Sequence, residues 1–154
     1  MTEFCTCPEC IDCCWHNPGW FGSITEIKGA AKILNISLKD LANEYLIQEY
    51  WAGKENIVIP APRRDPNQMN DKGKVWIDEL KKNSKGFVRA SWGHNFVHDV
   101  ACIFFKDDRC VINSSKPKEC RETFGCKQIP RKRPGIVRYW QRNQDWVEKN
   151  LMVK

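Results

Sequence analysis

The sequence has no long apolar run. No stretch approaches the roughly 18 consecutive apolar residues that a membrane-spanning helix needs, so no membrane is expected as a partner. The first residues, Met-Thr-Glu-Phe-Cys-Thr-Cys, have neither the basic nor the apolar segment of a secretory signal, and the expectation is a cytoplasmic protein. Histidine is scarce, with three in 154 residues. No HExxH pair, phosphate-cradling glycine loop or Ser-His-Asp order is present, which removes the commonest hydrolase and nucleotide-binding signatures. Acidic residues are scattered, and Asp107-Asp108 reads as a turn rather than a catalytic pair. Most of the chain also lacks an excess of either charge: residues 1–126 carry seventeen Lys/Arg and seventeen Asp/Glu.

What the chain does have is cysteine, nine in all. A chain of this size is most simply one domain. It buries about 68–70% of its unfolded surface without covalent help, so cysteines are not needed to rescue a tiny fold. In a reducing compartment they point to metal or redox chemistry rather than to structural disulfides. Cys7, Cys10, Cys13 and Cys14 form a CxxCxxCC run, with Cys5 just upstream. Disulfide partners need a particular Cα separation and dihedral, which such crowding serves badly. Thiolates converging on one small ion or cluster need that crowding. The bland alternative, reduced thiols buried as small hydrophobes, does not account for four cysteines in eight residues.

A second block, Cys102, Cys110, Cys120 and Cys126, has seven, nine and five intervening residues. These gaps are too wide for a zinc knuckle and fit ligands delivered by a hairpin and the start of a helix. Adjacent Cys13 and Cys14 point in different directions unless the backbone turns sharply. Two four-thiolate sites, or one larger or mixed site, are both compatible with the count. Zinc takes closed tetrahedral sites of cysteine and histidine, whereas iron–sulfur clusters are commonly held by cysteine alone. The all-thiolate set and the nearby Phe4, Trp15, Trp20 and Phe21 favour an iron–sulfur cluster, such as [4Fe–4S], with zinc as the alternative. Cys5 lies outside this pattern. His16 follows the first block; His94 and His98 stand four apart and four before Cys102, but Gly93, Phe96 and Val97 do not favour a helix there. All three histidines read better as surface or hydrogen-bonded residues than as ligands.

The pattern of elements predicts an α+β fold: two N-terminal helices, a short hairpin or sheet and a C-terminal helix. Ser23 reads as an N-cap with Glu26 completing a capping box, and Ile24, Ile27, Ala31 and Leu34 line one face. Ser37 starts a second helix carrying Leu38, Leu41, Ala42, Tyr45 and Leu46. Ile57-Val58-Ile59 reads as a short strand stopped by Pro60 and Pro62, followed by a loop to Gly73 that contains Arg63 and Arg64. Val75 to Leu80 is undecided between helix and strand. Phe87 to Trp92 alternates as a strand does. Ala101–Phe105 and Arg109–Ile112 flank Lys106-Asp107-Asp108 and predict a hairpin with Cys102 on one strand and Cys110 on the other. Lys116–Phe124 and Gly135–Leu151 read as helices.

The chain divides into a cysteine-rich part, residues 1–126, and a basic terminal helix, 127–154, packed on it or extending from it. The latter holds eight Lys/Arg against two Asp/Glu, the entire net charge of +6. Lys127, Arg131, Lys132, Arg133, Arg138 and Arg142 are interleaved with Tyr139, Trp140 and Trp146. Arginine and aromatics together suit phosphate contact with base stacking; a solvated helix face backed by a core-facing aromatic stripe is the simpler reading.

The run Cys7-x2-Cys10-x2-Cys13-Cys14 resembles the signature of the CxxCxxCC family of zinc- or iron-chelating proteins. Downstream, Cys102-Ile103-Phe104-Phe105, Cys110-Val111-Ile112 and Lys116-Pro117-Lys118-Glu119-Cys120-Arg121 are similar to the family's C-x-F-L, C-x-I-Y and R-P-x-x-C-R, with Asn113 in place of the usual Tyr and Lys116 in place of the first Arg. The resemblance covers residues 7–126. It implies eight metal-binding cysteines, Cys7, Cys10, Cys13, Cys14, Cys102, Cys110, Cys120 and Cys126, in one domain. Arg121, beside Cys120, is placed to neutralise cluster charge by hydrogen bonding. The functional expectation is an iron–sulfur protein in electron transfer or in maturation of a partner enzyme, with a protein partner. The alternative is a zinc-stabilised module binding protein or nucleic acid through residues 127–154.

Overall fold

The computed structural model describes residues 19–51, 53–69, 77–90, 100–107, 109–115, 117, 118, 120 and 133–152. Helix α1, Ile24–Leu34, opens as its sequence dictates: the Ser23 hydroxyl accepts from the Glu26 N–H at 3.3 Å. It closes on Asn35 in the left-handed region at φ 56°, whose N–H reaches back to Ala31 and Lys32 carbonyls, a conformation asparagine tolerates. Helix α2, Leu38–Tyr45, is capped by Ser37 accepting from Asp40 N–H at 3.1 Å. Each cap satisfies a helix N–H that would otherwise lack a partner.

The second helix does not run on through Leu46. Strand β1, Leu46–Trp51, begins there and pairs antiparallel with β2, Lys54–Pro62. The two prolines expected to stop β2 lie inside it, and the reason is the ladder. Gln48 sits opposite Pro60, yet the Gln48 N–H donates away from β2, to Val88 O at 2.8 Å. The pair is therefore of the non-hydrogen-bonded kind, in which backbone donors face outward. Pro60, and Pro62 two residues on, lack only an N–H that the ladder does not use. The outer edge of β2 is covered at two points: Val58 N–H donates to Gln144 Oε1 and Gln144 Nε2 donates to Val58 O, both at 2.9 Å, and Pro60 O accepts from Phe21 N–H at 3.2 Å. Such contacts take up groups that an edge strand would otherwise present.

Pro60 to Gly73 is not all loop, since β3, Arg64–Met69, follows at once and pairs antiparallel with β4, Val100–Cys102. Helix α3, Ile77–Lys82, makes residues 77–80 of the undecided segment helical, and Val75 and Trp76 lie outside the described residues. The strand expected over Phe87–Trp92 is reduced, among its described residues, to one bridge between Gln48 and Arg89. The expected hairpin forms between β5, Phe105–Lys106, and β6, Arg109–Cys110, with Asp107 at φ 52° in a two-residue turn, as such turns require. Cys110 is on it, but Cys102 is on β4, a separate strand. A 3-10 turn follows at Asn113–Ser115.

The expected single terminal helix is two: α4, Arg133–Arg142, and α5, Gln144–Asn150. They part at Asn143, whose side chain donates to Tyr139 O at 2.7 Å and so diverts the α4 carbonyl ladder. Both helices belong to the main core. Ile136, Val137, Trp140, Val147 and Leu151 are buried together with Phe21, Ile27, Leu41, Leu46, Ile47, Ile59, Phe104 and Ile112. Trp140 donates its indole N–H to Phe21 O at 2.7 Å, and the Tyr139 hydroxyl accepts the first α1 N–H, from Ile24, at 2.9 Å. The architecture is α+β, and no helix of the described residues is long and apolar enough to cross a membrane.

Arg63 and Arg64, read from sequence as an unremarkable loop pair, are 1% and 3% exposed. Arg63 donates to the carbonyls of Asn83 (2.6 Å), Asn43 (3.2 Å), Leu46 (2.7 Å) and Gly86 (2.5 Å). One guanidinium thus ties the end of α2 and the start of β1 to the 83–86 turn. Burial lowers its pKa from 12.5 to about 10. The folded protein holds this proton less tightly than the unfolded chain, so burial costs stability at every pH below about 10 and the cost eases above it. Four charge-assisted hydrogen bonds offset it.

Trp140→Ala is expected to destabilise the protein by about 3–5 kcal/mol in urea unfolding, as loss of a fully buried tryptophan does. Arg138→Ala, on the exposed face of α4, should stay within about 0.5 kcal/mol of wild type. Similar small effects from both would remove α4 from the core.

Candidate metal centre

Of the cysteines expected to bind metal, Cys102, Cys110 and Cys120 fall on described residues; Cys7, Cys10, Cys13, Cys14 and Cys126 lie outside them, as do Cys5, His16, His94, His98 and Arg121. Cys102 ends β4 and is 6% exposed. Cys110 ends β6, half-buried, opposite Phe105. Cys120 follows the buried Pro117 in helical backbone and is half-buried. Among the described residues, no three His, Cys, Asp or Glu side chains are grouped closely enough to hold an ion, so any four-thiolate site must draw on cysteines beyond them.

The described residues show what the chain from Gly19 onward meets in the second block. Gly19, five residues after Cys14, donates its N–H to Cys120 Sγ at 3.2 Å. Phe21 lies edge-on to Phe104 at 6.5 Å between ring centroids, and Phe104 stacks on Tyr45 at 5.4 Å. Phe104 is two residues past Cys102, and its carbonyl accepts from Val111 N–H beside Cys110 at 2.8 Å. Residues 19–21 therefore touch the surroundings of all three described cysteines.

Helix α1 holds this junction in place. Glu26, 9% exposed, takes Gly22 N–H at 3.3 Å and the Ser23 hydroxyl at 3.0 Å on its carboxylate. The same carboxylate accepts the Lys118 N–H. The backbone carbonyl of the same residue accepts from Ser115 Oγ at 2.9 Å. Two glycines permit the approach. A Cβ on Gly22 would meet Lys118 Cβ at 2.5 Å, and one on Gly29 would meet Ser115 Cβ at 2.9 Å and collide with its Oγ. Ser115 and Lys118, two residues before Cys120, are thereby clamped against the start of α1.

One contact here, Gly19 N–H on Cys120 Sγ, is of the kind that metal–thiolate centres use. Backbone N–H groups directed at sulfur are contacts that stabilise thiolates and tune clusters. The aromatics divide in two. Trp20 and Phe21 are buried in the main core, whereas Phe4 and Trp15 lie outside the described residues. Arg133 places its guanidinium over the Trp20 ring at 3.9 Å. On the basic helix Trp140 is fully buried, so it is no platform for base stacking; Arg138 and Arg142 are exposed. Lys127, Arg131 and Lys132 are outside the described residues. Sequence reasoning did not single out Gly19, Gly22, Gly29 or the second role of Glu26, because nothing local marks a contact made about 90 residues away.

The chain matches no family model, no curated protein and no solved structure. The likeness to the CxxCxxCC family rests on the motifs quoted above.

Gly29→Ala would ordinarily strengthen a helix by up to about 1 kcal/mol. Here the collision with Ser115 is expected to win, lowering stability by about 1–3 kcal/mol as overpacking does, and that cost should vanish when Gly29→Ala is compared with its parent in a Ser115→Gly background. A more stable Gly29→Ala protein in urea unfolding would contradict the clamp.

Proposed function

We propose that this protein holds a metal centre on cysteines from both blocks, an iron–sulfur cluster, and serves a partner enzyme by electron transfer or by maturing its cofactor. The observation that carries the reading is the hydrogen bond from Gly19 N–H to Cys120 Sγ. It places the polypeptide leaving the CxxCxxCC run against a thiol of the second block, 101 residues away in sequence. Gly19 is five positions after Cys14, and five residues span at most about 18 Å even when extended. The likeness to the CxxCxxCC family supports the same ligand set: Cys7, Cys10, Cys13, Cys14, Cys102, Cys110, Cys120 and Cys126. Zinc is the competing occupant of such thiolates.

The chain's own residues supply the setting. Gly19 donates to the Cys120 sulfur, Trp20 and Phe21 exclude water from the junction, and Glu26 with Ser115 fixes the segment that presents Cys120. An iron–sulfur cluster would add one-electron chemistry whose potential follows burial and the hydrogen bonds to sulfur. Arg121, next to Cys120, is a second donor to the centre in this reading. The exposed Arg138 and Arg142 give α4 a cationic face suited to an acidic protein partner. A cytoplasmic setting, where thiols stay reduced, is part of the proposal.

The test is purification under anaerobic conditions with iron, zinc and acid-labile sulfide determined on the same sample. A brown protein with iron and sulfide in matching amounts is expected, and the colour should be lost in Cys120→Ser. Stoichiometric zinc without sulfide would replace the cluster by a zinc site. A folded chain holding neither metal would overturn the proposal.

A further inference from the structure

Arg63 and Arg64 are neighbours, both buried, and they do different things. Successive side chains along extended backbone point to opposite sides. Arg63 spends its guanidinium on four backbone carbonyls and has a structural task. Arg64 stands directly opposite Cys102 in the β3–β4 ladder. Residues opposite each other in an antiparallel pair share a face, with Cβ atoms about 4.5–5.5 Å apart. Arg64 Nη1 donates to Val100 O at 3.0 Å, two residues before Cys102 on the same strand, so the guanidinium lies along β4. Cation and thiol are 3% and 6% exposed. Burial lowers the Arg64 pKa to about 10, against which the charges of Cys102 and Glu49 pull it up.

A buried cation calls for buried negative charge. Glu49, half-buried on β1, supplies one carboxylate. We propose that Arg64 is the counter-cation of the metal centre, offsetting the negative charge that Cys102 carries as a ligand. This rests on the metal reading above and adds to it a residue that none of the cysteine motifs contains. The charge balance gives the reason. When four thiols bind a divalent ion, four protons leave and the site passes from neutral to a net charge of minus two. The same net charge results when four thiolates hold a cluster core of charge plus two. In a poorly hydrated site that change is strongly opposed unless a cation is already fixed nearby. Val100 O fixes the Arg64 guanidinium along β4, on the strand that carries Cys102.

The experiment loads the full chain with zinc(II) alone, which four-thiolate sites accept, and competes it with a chelator of known affinity at neutral pH. Arg64→Gln keeps a donor for Val100 O but removes the charge; a loss of about 10–100-fold in metal affinity is expected, as for other outer partners of metal ligands. Arg64→Lys keeps the charge and should stay near wild type. Glu49→Gln removes the competing anion and should tighten binding. Wild-type affinity in Arg64→Gln, or equal losses in Arg64→Gln and Arg64→Lys, would overturn the proposal, the second result assigning Arg64 a packing role. Should Arg64→Gln fail to fold by circular dichroism, Glu49→Gln decides: tighter binding supports the counter-cation, unchanged or weaker binding overturns it. A wild-type chain that takes up neither zinc nor iron would remove the metal reading itself, a different outcome from any of these.

Discussion

The carboxylate of Glu26 joins two parts of the chain 92 residues apart, and the candidate site depends on that junction. A buried carboxylate is tolerated only when donors surround it. Here they are Gly22 N–H, the Ser23 hydroxyl and Lys118 N–H. The first two belong to the start of α1, as in any capping box, and the third belongs to the segment that bears Cys120. Hydrogen bonds to an ionised group are about twice as strong as neutral ones, so a local helix signal doubles as a long-range fastening. Gly22 and Gly29 let the segment lie against the helix, and Gly19 reaches the Cys120 sulfur as a consequence.

Polar fastenings of this kind recur where the apolar core alone would leave freedom. Arg63 collects four carbonyls from two stretches of chain, 43–46 and 83–86, and the Gln144 amide covers the edge of β2 at Val58. Tyr139 and Trp140 bind the backbone at Ile24 and Phe21, so α4 holds the approach to α1. The apolar cluster supplies most of the driving force; these directional contacts decide which of many compact arrangements places residues 19–21 against the surroundings of Cys102, Cys110 and Cys120.

The features legible in the sequence are those set by neighbours in the chain. Ser23 with Glu26, and Ser37, announced helix starts because capping is a three-residue interaction. The Asp107-Asp108 turn was legible because a two-residue hairpin demands a residue that accepts positive φ. Strand β1 was hidden because Leu46 continues the apolar stripe of α2, and only pairing with β2 turns the chain extended. Pro60 and Pro62 looked like terminators because the parity of the ladder is not written locally. Strand β3, Arg-Asp-Pro-Asn-Gln-Met, has no apolar alternation at all and exists through its pairing with β4. Arg64 escaped notice because charged residues are rarely buried without a partner, and its partner, Cys102, is 38 positions away.

The central claim is that sulfur from both cysteine blocks ligates one centre. X-ray absorption at the edge of the bound metal tests it most directly, on the wild-type chain and on Cys120→Ser and Cys10→Ser. The account predicts all-sulfur ligation in the wild type and the loss of a sulfur neighbour from the same metal in each variant. Spectra in which one of the two variants leaves the metal environment unchanged would contradict it.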